Sequence, residues 1–549
     1  MAGDRRLDAV ALTVDGADLP PDVYDRLTLV RVEESVHLPD VFSLRFDDPH
    51  FELFDDARFR LGTKVDIAFR AEGDLVTVTV GEVTAISVEP GATGRHELVI
   101  SGLDVAHRLA REPRTRSFLN MTDADIVAQI ADEYGLDGDI DPTNEVHEYV
   151  LQTSESDYAF LARQARRAGF DLWVTDATLH FKPRPSAEGS PPALRWGENL
   201  QHFKVRFSSA ERCDSVTIRG QDPVAKRTLV GQADTGDSGT DAPAVLQMAD
   251  DARAAFGRIE RFAGRYPVAT QAEADALAAS LLLKASGGEV IARGEAAGDP
   301  LISAGAEVSI EHVGERLSGR WRLTGVQHIY GGQSPYITRF VCGGKEPAGL
   351  ADLLGAGGAD HRRTWDSPVV GLVTNCDDPL QLGRVKVKFP TLTDDDESAW
   401  ARLVAPGAGP DRGLQAIPEV GDEVLVVFEL GDTRRPYVIG GLWNQRDTPP
   451  DAEAVTGGQV ARRSWHSRSG HHIELADDAP ATVTVATGEA DCRLVLSRDD
   501  SLLRGERKVT VEGAEITIRA DQKLTLDAAR IEITASSDVT VSGTPIKLN

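Results

Sequence analysis

The C-terminal stretch 494–549 repeats on itself at a period too short for a self-contained fold. Apolar residues recur in pairs with one residue between them: Val509/Val511, Ile516/Ile518, Leu524/Leu526, Ile531/Ile533, Val539/Val541 and Ile546/Leu548. The first members of successive pairs stand 7, 8, 7, 8 and 7 residues apart. Alternation inside each pair has the period of a β-strand, and the polar residues between pairs, as in EITIRADQ and KLTLDAAR, supply turns. A strand rises about 3.3 Å per residue, so seven or eight residues give one short strand and a bend, too little to circle a core. The other walls must come from further copies of the chain. The expectation is an intertwined β-prism of three chains, its trimer core lined by Val509, Val511, Ile516, Ile518, Leu524, Leu526, Ile531, Ile533, Val539 and Val541. Each such side chain contributes about 1.5–3 kcal/mol once buried, and closing the prism removes exposed strand edges. A helical heptad also recurs every seven residues, but i, i+2 pairing and turns of Gly, Asp and Ser argue against a coiled coil. A calcium-binding β-roll needs G-G-x-G-x-D repeats, which the segment lacks.

Upstream, five short β runs (GLVTNC, GRVKVKFP, WARLVAP, DEVLVVFEL and YVIGGLW) fall between Trp365 and Asn444. Five strands in about 80 residues fit an OB-type barrel. Its longest loop, TDDDESAW, is acidic, which argues against the nucleic-acid use of such barrels. Residues 1 to about 105 read mostly as strands, with Gly62, Gly73, Gly81 and Pro90-Gly91 as turns. Three helices follow. One starts at Thr122 with Asp125 in a capping-box pattern, carries Ile126, Ile130 and Tyr134 on one face, and ends at Gly135. One lies within SESDYAFLARQARRAG, with Tyr158, Leu161, Ala162 and Ala165 at helical spacing. One starts at the Thr270/Glu273 capping box, with Ala274, Leu277, Ala278 and Leu281 on its apolar face and Gly287 at its end. The resulting division is a hub over 1–345, a Gly/Ala-rich linker over 346–364, the OB domain over 365–445, a connector over 446–470 and the needle over 471–549.

Charge and motifs exclude several functions. A net charge of −28 argues against nucleic-acid and anionic-lipid partners, which require basic patches. Cys213, Cys342, Cys376 and Cys492 stand far apart with no metal-binding spacing. No apolar run reaches 18 residues, and the first residues contain no signal-peptide core, so the expectation is a chain made in the cytoplasm without such a signal. His471-His472 reads as a polar turn, and His328 as a lone histidine in a strand. GxxxxGK[ST] and GxSxG motifs are absent. No catalytic residue, no metal ligand and no cofactor is expected.

The segments GRVKVKFPTLTDDDESAWARLVAPGAG and PEVGDEVLVVFELGDTRRPYVIGGLWN resemble the OB domain of VgrG and phage baseplate V spikes. SRSGHHIELADD is similar to that family's entry into the needle, SDYAFLARQARRAGFDLWVTDATLHFKP resembles the phage late-control D hub, and GTPIKLN is similar to spike endings. The resemblance implies a mainly β homotrimeric spike with an N-terminal hub of paired β-barrels, an OB-fold neck and a C-terminal β-prism needle. It implies contact of the N-terminal half with the inner tube protein and the baseplate. It implies a PAAR-type tip protein at Thr544, Pro545, Ile546, Lys547, Leu548 and Asn549, with effector cargo as a further partner. The 25 or so residues between Asn444 and Gly470 are too few for the lysozyme that some phage spikes insert there, so no enzyme is expected. The acidic opening VTVDGADLPPDVYDRLTLVRVEESVHLPDVFSLRFDDP looks most like spikes of extracellular phage-tail-like particles, with a type VI VgrG or a phage or R-type tail spike as alternatives. A trimeric receptor-binding or hydrolytic fibre is the alternative of a different class.

Overall fold

In a computed structural model, the described residues are all but 1–9, 37, 57, 72, 92–93, 176, 184–190, 210–211, 235, 237–238, 265, 288, 332–334, 344–366, 392–396, 489–491 and 548–549. The sequence-predicted linker, 346–364, therefore lies wholly outside them. The chain divides into two units, 1–442 and 443–549.

A 13-stranded sheet organises the hub. Its shared member is the strand Gly319–Gly331. The second part of this strand pairs antiparallel with Leu27–Ser35, its first part with Glu307–Glu311, and its other edge with Ile337–Gly343. From it the sheet runs one way through Leu27–Ser35, Val41–Asp47, His96–Asp104, Asp74–Pro90, Lys64–Ala71 and Val10–Val14. These strands alternate buried and open residues; in Val41–Asp47, Phe42, Leu44 and Phe46 point inward. The other way it runs through Ile337–Gly343, Val290–Ala297 and Leu200–Phe207, while Glu307–Glu311 pairs with Ala193–Arg195. A bridge from Trp196 to Leu200 brings the ends of this half together around a second core containing Val308, Ile310, Trp321 and Phe340. The hub is thus mainly β, with one sheet serving two cores.

Gly81 corrects the sequence reading. It lies inside the 17-residue strand Asp74–Pro90 rather than at a turn. A Cβ there would stand 2.7 Å from the Leu103 carbonyl oxygen and 2.8 Å from the Phe42 ring. Gly102 is packed more tightly still against the Phe42 ring and the Glu82 carbonyl. Both glycines let a phenylalanine lie flat on the backbone, while Gly62 and Gly73 do take positive φ in turns.

Two smaller folded pieces interrupt the hub sheet. The first contains the helices Asp123–Glu133 and Asp157–Ala168. Thr122 and Asp125 form the reciprocal capping box that the sequence predicts, and Ile126 and Ile130 are fully buried. Tyr134 caps the helix end, and its hydroxyl donates to Asp157 Oδ2 at 2.7 Å. The second helix ends at Gly169 with φ 74°. Its buried face is Phe160, Leu161, Gln164 and Ala165, with the predicted Tyr158 and Ala162 half-buried at its rim. The face is shifted because Gln164 and Asp157 find polar partners inside: Asp123, Gln152 and Arg116. The second piece packs the helix Gln271–Gly287 on the strands Ser215–Asp222 and Arg227–Ala233. It buries Ala274, Leu277, Ala278 and Leu282, whereas the predicted Leu281 is half-buried. Thr270 Oγ accepts from the Glu273 N–H at 3.0 Å, but the Glu273 carboxylate accepts from Ala269 instead of Thr270.

Five strands form the OB barrel: Val369–Asn375, Lys386–Lys388, Arg402–Leu403, Glu423–Phe428 and Pro436–Gly441. The ladder runs from Lys386–Lys388 to Arg402–Leu403, and bridges Val385–Ala401 and Lys388–Glu397 close it. Val373, Val387, Val424, Val426 and Val438 fill it. In the turn at 377–384, Asp378 accepts from the N–H groups of Leu380, Leu382 and Arg384 and from the Arg384 guanidinium. The Arg384 hydrogen bond outweighs burial and holds this carboxyl well below the usual range.

Candidate assembly site

In the second unit, Arg462–His466, His472–Ala476, Thr482–Ala486, Arg493–Ser497 and Ser501–Arg504 form an antiparallel meander. It begins inside the stretch read as a connector. Its cross-strand register lines up Trp465, Ile473, Val485, Leu494 and Leu503 in one row, and Leu475, Val483 and Leu496 in the next. Every one of these apolar side chains is exposed. Ser464, Glu474 and Thr484 stand on the opposite face. Among the described residues nothing covers this open apolar face. The sequence analysis did not single out these residues, although TVTVA and RLVLS carry the alternation that marks them.

Beyond Arg504 the chain changes character. Among the described residues of 505–547 there is no helix or strand and no backbone–backbone hydrogen bond. All ten residues assigned from sequence to the trimer core lie here. Val509, Val511, Ile516, Ile518, Leu524, Leu526, Ile531, Ile533, Val539 and Val541 are 49–69% exposed, and Ile546 is 49% exposed. In five pairs the first member is the less exposed: 49% against 64% at Val509/Val511, and 49% against 69% at Ile516/Ile518. The segment thus combines many β-branched residues with open apolar side chains and no backbone ladder among the described residues. Thr510, Thr517, Thr525, Glu532 and Thr540 sit between the paired apolar residues. Residues 505–547 contain seven acidic and six basic residues, so the chain's −28 resides almost wholly elsewhere.

Of the tip residues, Thr544, Pro545, Ile546 and Lys547 are described and exposed, and Leu548 and Asn549 lie outside the described residues. His471 Nδ1 accepts from the Gly488 N–H, and His472 stacks on His466 with ring centroids 5.0 Å apart. His328 is buried between the Tyr336 hydroxyl at 2.6 Å and Glu34 at 3.3 Å. Among the described residues, no group of three or more His, Cys, Asp or Glu side chains is placed to hold a metal ion, and no helix is long and apolar enough to cross a membrane.

Comparison with known families agrees with this layout. Residues 369–443, the barrel, match the type VI secretion system/phage-baseplate injector OB domain. Residues 37–331, more than half of the chain, match the Alg8 N-terminal domain. The chain belongs to the Alg8 N-terminal domain family. Its barrel and its curated relatives make it similar to VgrG-type spikes. It is 24% identical over 251 residues to the type VI secretion system spike protein VgrG3 of Vibrio cholerae, covering 39% of this chain and 23% of that protein. It is 30% identical over 134 residues to the spike protein VgrG1a of Pseudomonas aeruginosa, covering 23% and 21%. The chain thus spans under a quarter of the length of these relatives. In fold it is similar to a chain of the Francisella PdpA–VgrG complex, with TM-score 0.52, 9% identity, and coverage of 90% of this chain and 88% of that one.

Proposed function

We propose that three copies of this chain form the spike of a contractile injection machine. The observation that carries the reading is the row of exposed apolar pairs in 505–547, whose backbone makes no backbone–backbone hydrogen bond among the described residues. Three such rows facing one axis bury every pair and satisfy every backbone group between chains. The open face of the meander Arg462–Arg504 extends the same apolar seam toward the OB barrel in sequence. In this reading the hub meets the inner tube and baseplate, and a PAAR-type tip protein docks at 544–549. Sheath contraction drives the rod through a target envelope, with effector cargo carried by the same assembly. The spike is made in the cytoplasm and acts after release or delivery of the particle. No bond is made or broken by the spike: its work is to hold a rigid apolar core in register while it transmits force.

Light scattering on the purified protein tests the assembly. A mass near three times 59.1 kDa is expected, and a stable monomer at micromolar concentration refutes it.

A further inference from the structure

We infer that the turn 431–436 of the OB barrel is a latch that fixes the barrel on the hub, with Glu273 as its receiving group. The inference concerns the joint between two parts of one unit and does not rest on the spike reading.

The turn has the sequence GDTRRP and sends two arginines into the hub. Arg434 is first held by its own turn: its Nε donates to Asp432 Oδ1 at 3.1 Å and its Nη2 to Oδ2 at 2.7 Å. That bidentate fork fixes the guanidinium plane before it reaches across. The same Nη2 donates to Glu273 Oε1 at 2.8 Å. Arg167 donates to the same oxygen, and Glu273 Oε2 accepts from the Ala269 N–H at 2.8 Å. Two guanidiniums and two carboxylates from three separate elements thus form one largely buried, charge-balanced cluster. Arg435, beside it, spends its donors on main chain: Nη2 on the Gln221 carbonyl at 2.7 Å and Nη1 on the Val268 carbonyl at 3.2 Å. Its Nε pairs with Glu429 at 3.1 Å.

The receiving surface suits a cation. Glu273 lies in the first turn of Gln271–Gly287 and Arg167 in the last turn of Asp157–Ala168, each with the sign its helix end favours. The two helices pack together, and Ser280 Oγ donates to the Arg166 carbonyl at 2.7 Å. The latch therefore enters where two hub helices converge, and its donors reach the Glu273 carboxylate and the Gln221 and Val268 carbonyls. Burial separates this joint from ordinary surface pairs, which contribute little: the Glu273 and Arg434 side chains are 6% and 13% exposed. Removing one member leaves the other's charge unpaired in a largely buried site.

Variants from opposite sides of the joint test the inference in the full-length protein. Glu273→Gln alters only the hub, and Arg434→Met alters only the barrel; Arg412→Met, in an exposed barrel turn, is the control. In the parent and the control, hub and barrel are expected to unfold in one calorimetric transition. In both joint variants the barrel is expected to melt separately and earlier. Amides of Glu423–Phe428 should then exchange at least tenfold faster while those of Val41–Asp47 stay protected. A single unshifted transition in both variants overturns the inference. So does a split confined to Arg434→Met, which would place the defect in the barrel itself.

Discussion

Ile518→Asp separates the fold of one chain from the assembly of three. Ile518 is 69% exposed in the single chain. A substitution at so open a position changes the stability of an isolated protomer by no more than about 0.5 kcal/mol. In the proposed prism the same side chain lies near the axis. Each copy then forfeits about 1.5–3 kcal/mol of apolar burial, or about 5–9 kcal/mol over three chains. Three carboxylates converging on one apolar axis add a desolvation cost that grows with their mutual repulsion. Even the lower burial figure alone weakens association by a factor of more than about 10³. Size-exclusion chromatography with light scattering over a dilution series should show the parent as a trimer throughout and the variant falling to monomer. The joint hub-and-barrel transition measured by calorimetry should move by less than about 2 °C. Ile518→Ala should fall between the two, since it loses burial but adds no charge. A trimer that persists in Ile518→Asp on dilution, with parent-like melting, would refute the inward placement of the repeat.

Four further outcomes follow. Deleting 544–549 should leave the trimer intact and abolish capture of the tip protein in a pull-down; retained capture removes that segment from the docking site. Asp378→Ala strips acceptors from three backbone N–H groups and the Arg384 guanidinium; it should destabilise the OB barrel by about 3–5 kcal/mol, read as a fall in its urea midpoint. Gly102→Ala should cost the hub about 1–3 kcal/mol or more, because the Phe42 ring and the Glu82 carbonyl already occupy the space; a parent-like urea midpoint counts against that packing. Burial pushes the Glu273 carboxyl up, but Arg434 and Arg167 outweigh it and hold it at about 2, below its ordinary 4.5. A lowered acid stabilises the fold above its unfolded value, so about 3 kcal/mol should be present above pH 4.5 and lost as pH falls toward 2. Glu273→Gln should flatten that part of the pH–stability curve.

Sequence alone reveals features whose physics is local. The Thr122/Asp125 box and the Gly169 cap need only a few neighbouring residues, and both form as read. The OB strands are legible because each alternates over its own length. The needle repeat is legible for a different reason: its apolar residues have nowhere to go within the chain, so the pattern stays uninterrupted. What escapes is whatever depends on distant pairing. Glu273 looks like an N-terminal helix acid, yet its partners lie 106 and 161 residues away in Arg167 and Arg434. Gln164 breaks the apolar face of its helix because Asp123 waits inside to receive it. Gly81 looks like a turn because the close approach of Phe42 comes from another strand. The helix Pro243–Phe256 leaves little periodic signal because only Ala244 and Val245 are buried.

A segment whose backbone, in the proposed spike, pairs with other copies also fixes how defects are inherited. In the trimeric reading the backbone of 505–547 is shared property, so one altered chain spoils the two sound chains wound with it. If parent chains and altered chains that still wind into the prism were made in equal amounts and mixed at random, about one assembly in eight would be wholly parental. A lesion in an ordinary monomer would halve the active protein, whereas the same lesion here would remove most of it. The needle should therefore behave genetically as a dominant-negative element, and the independently cored hub and barrel should not.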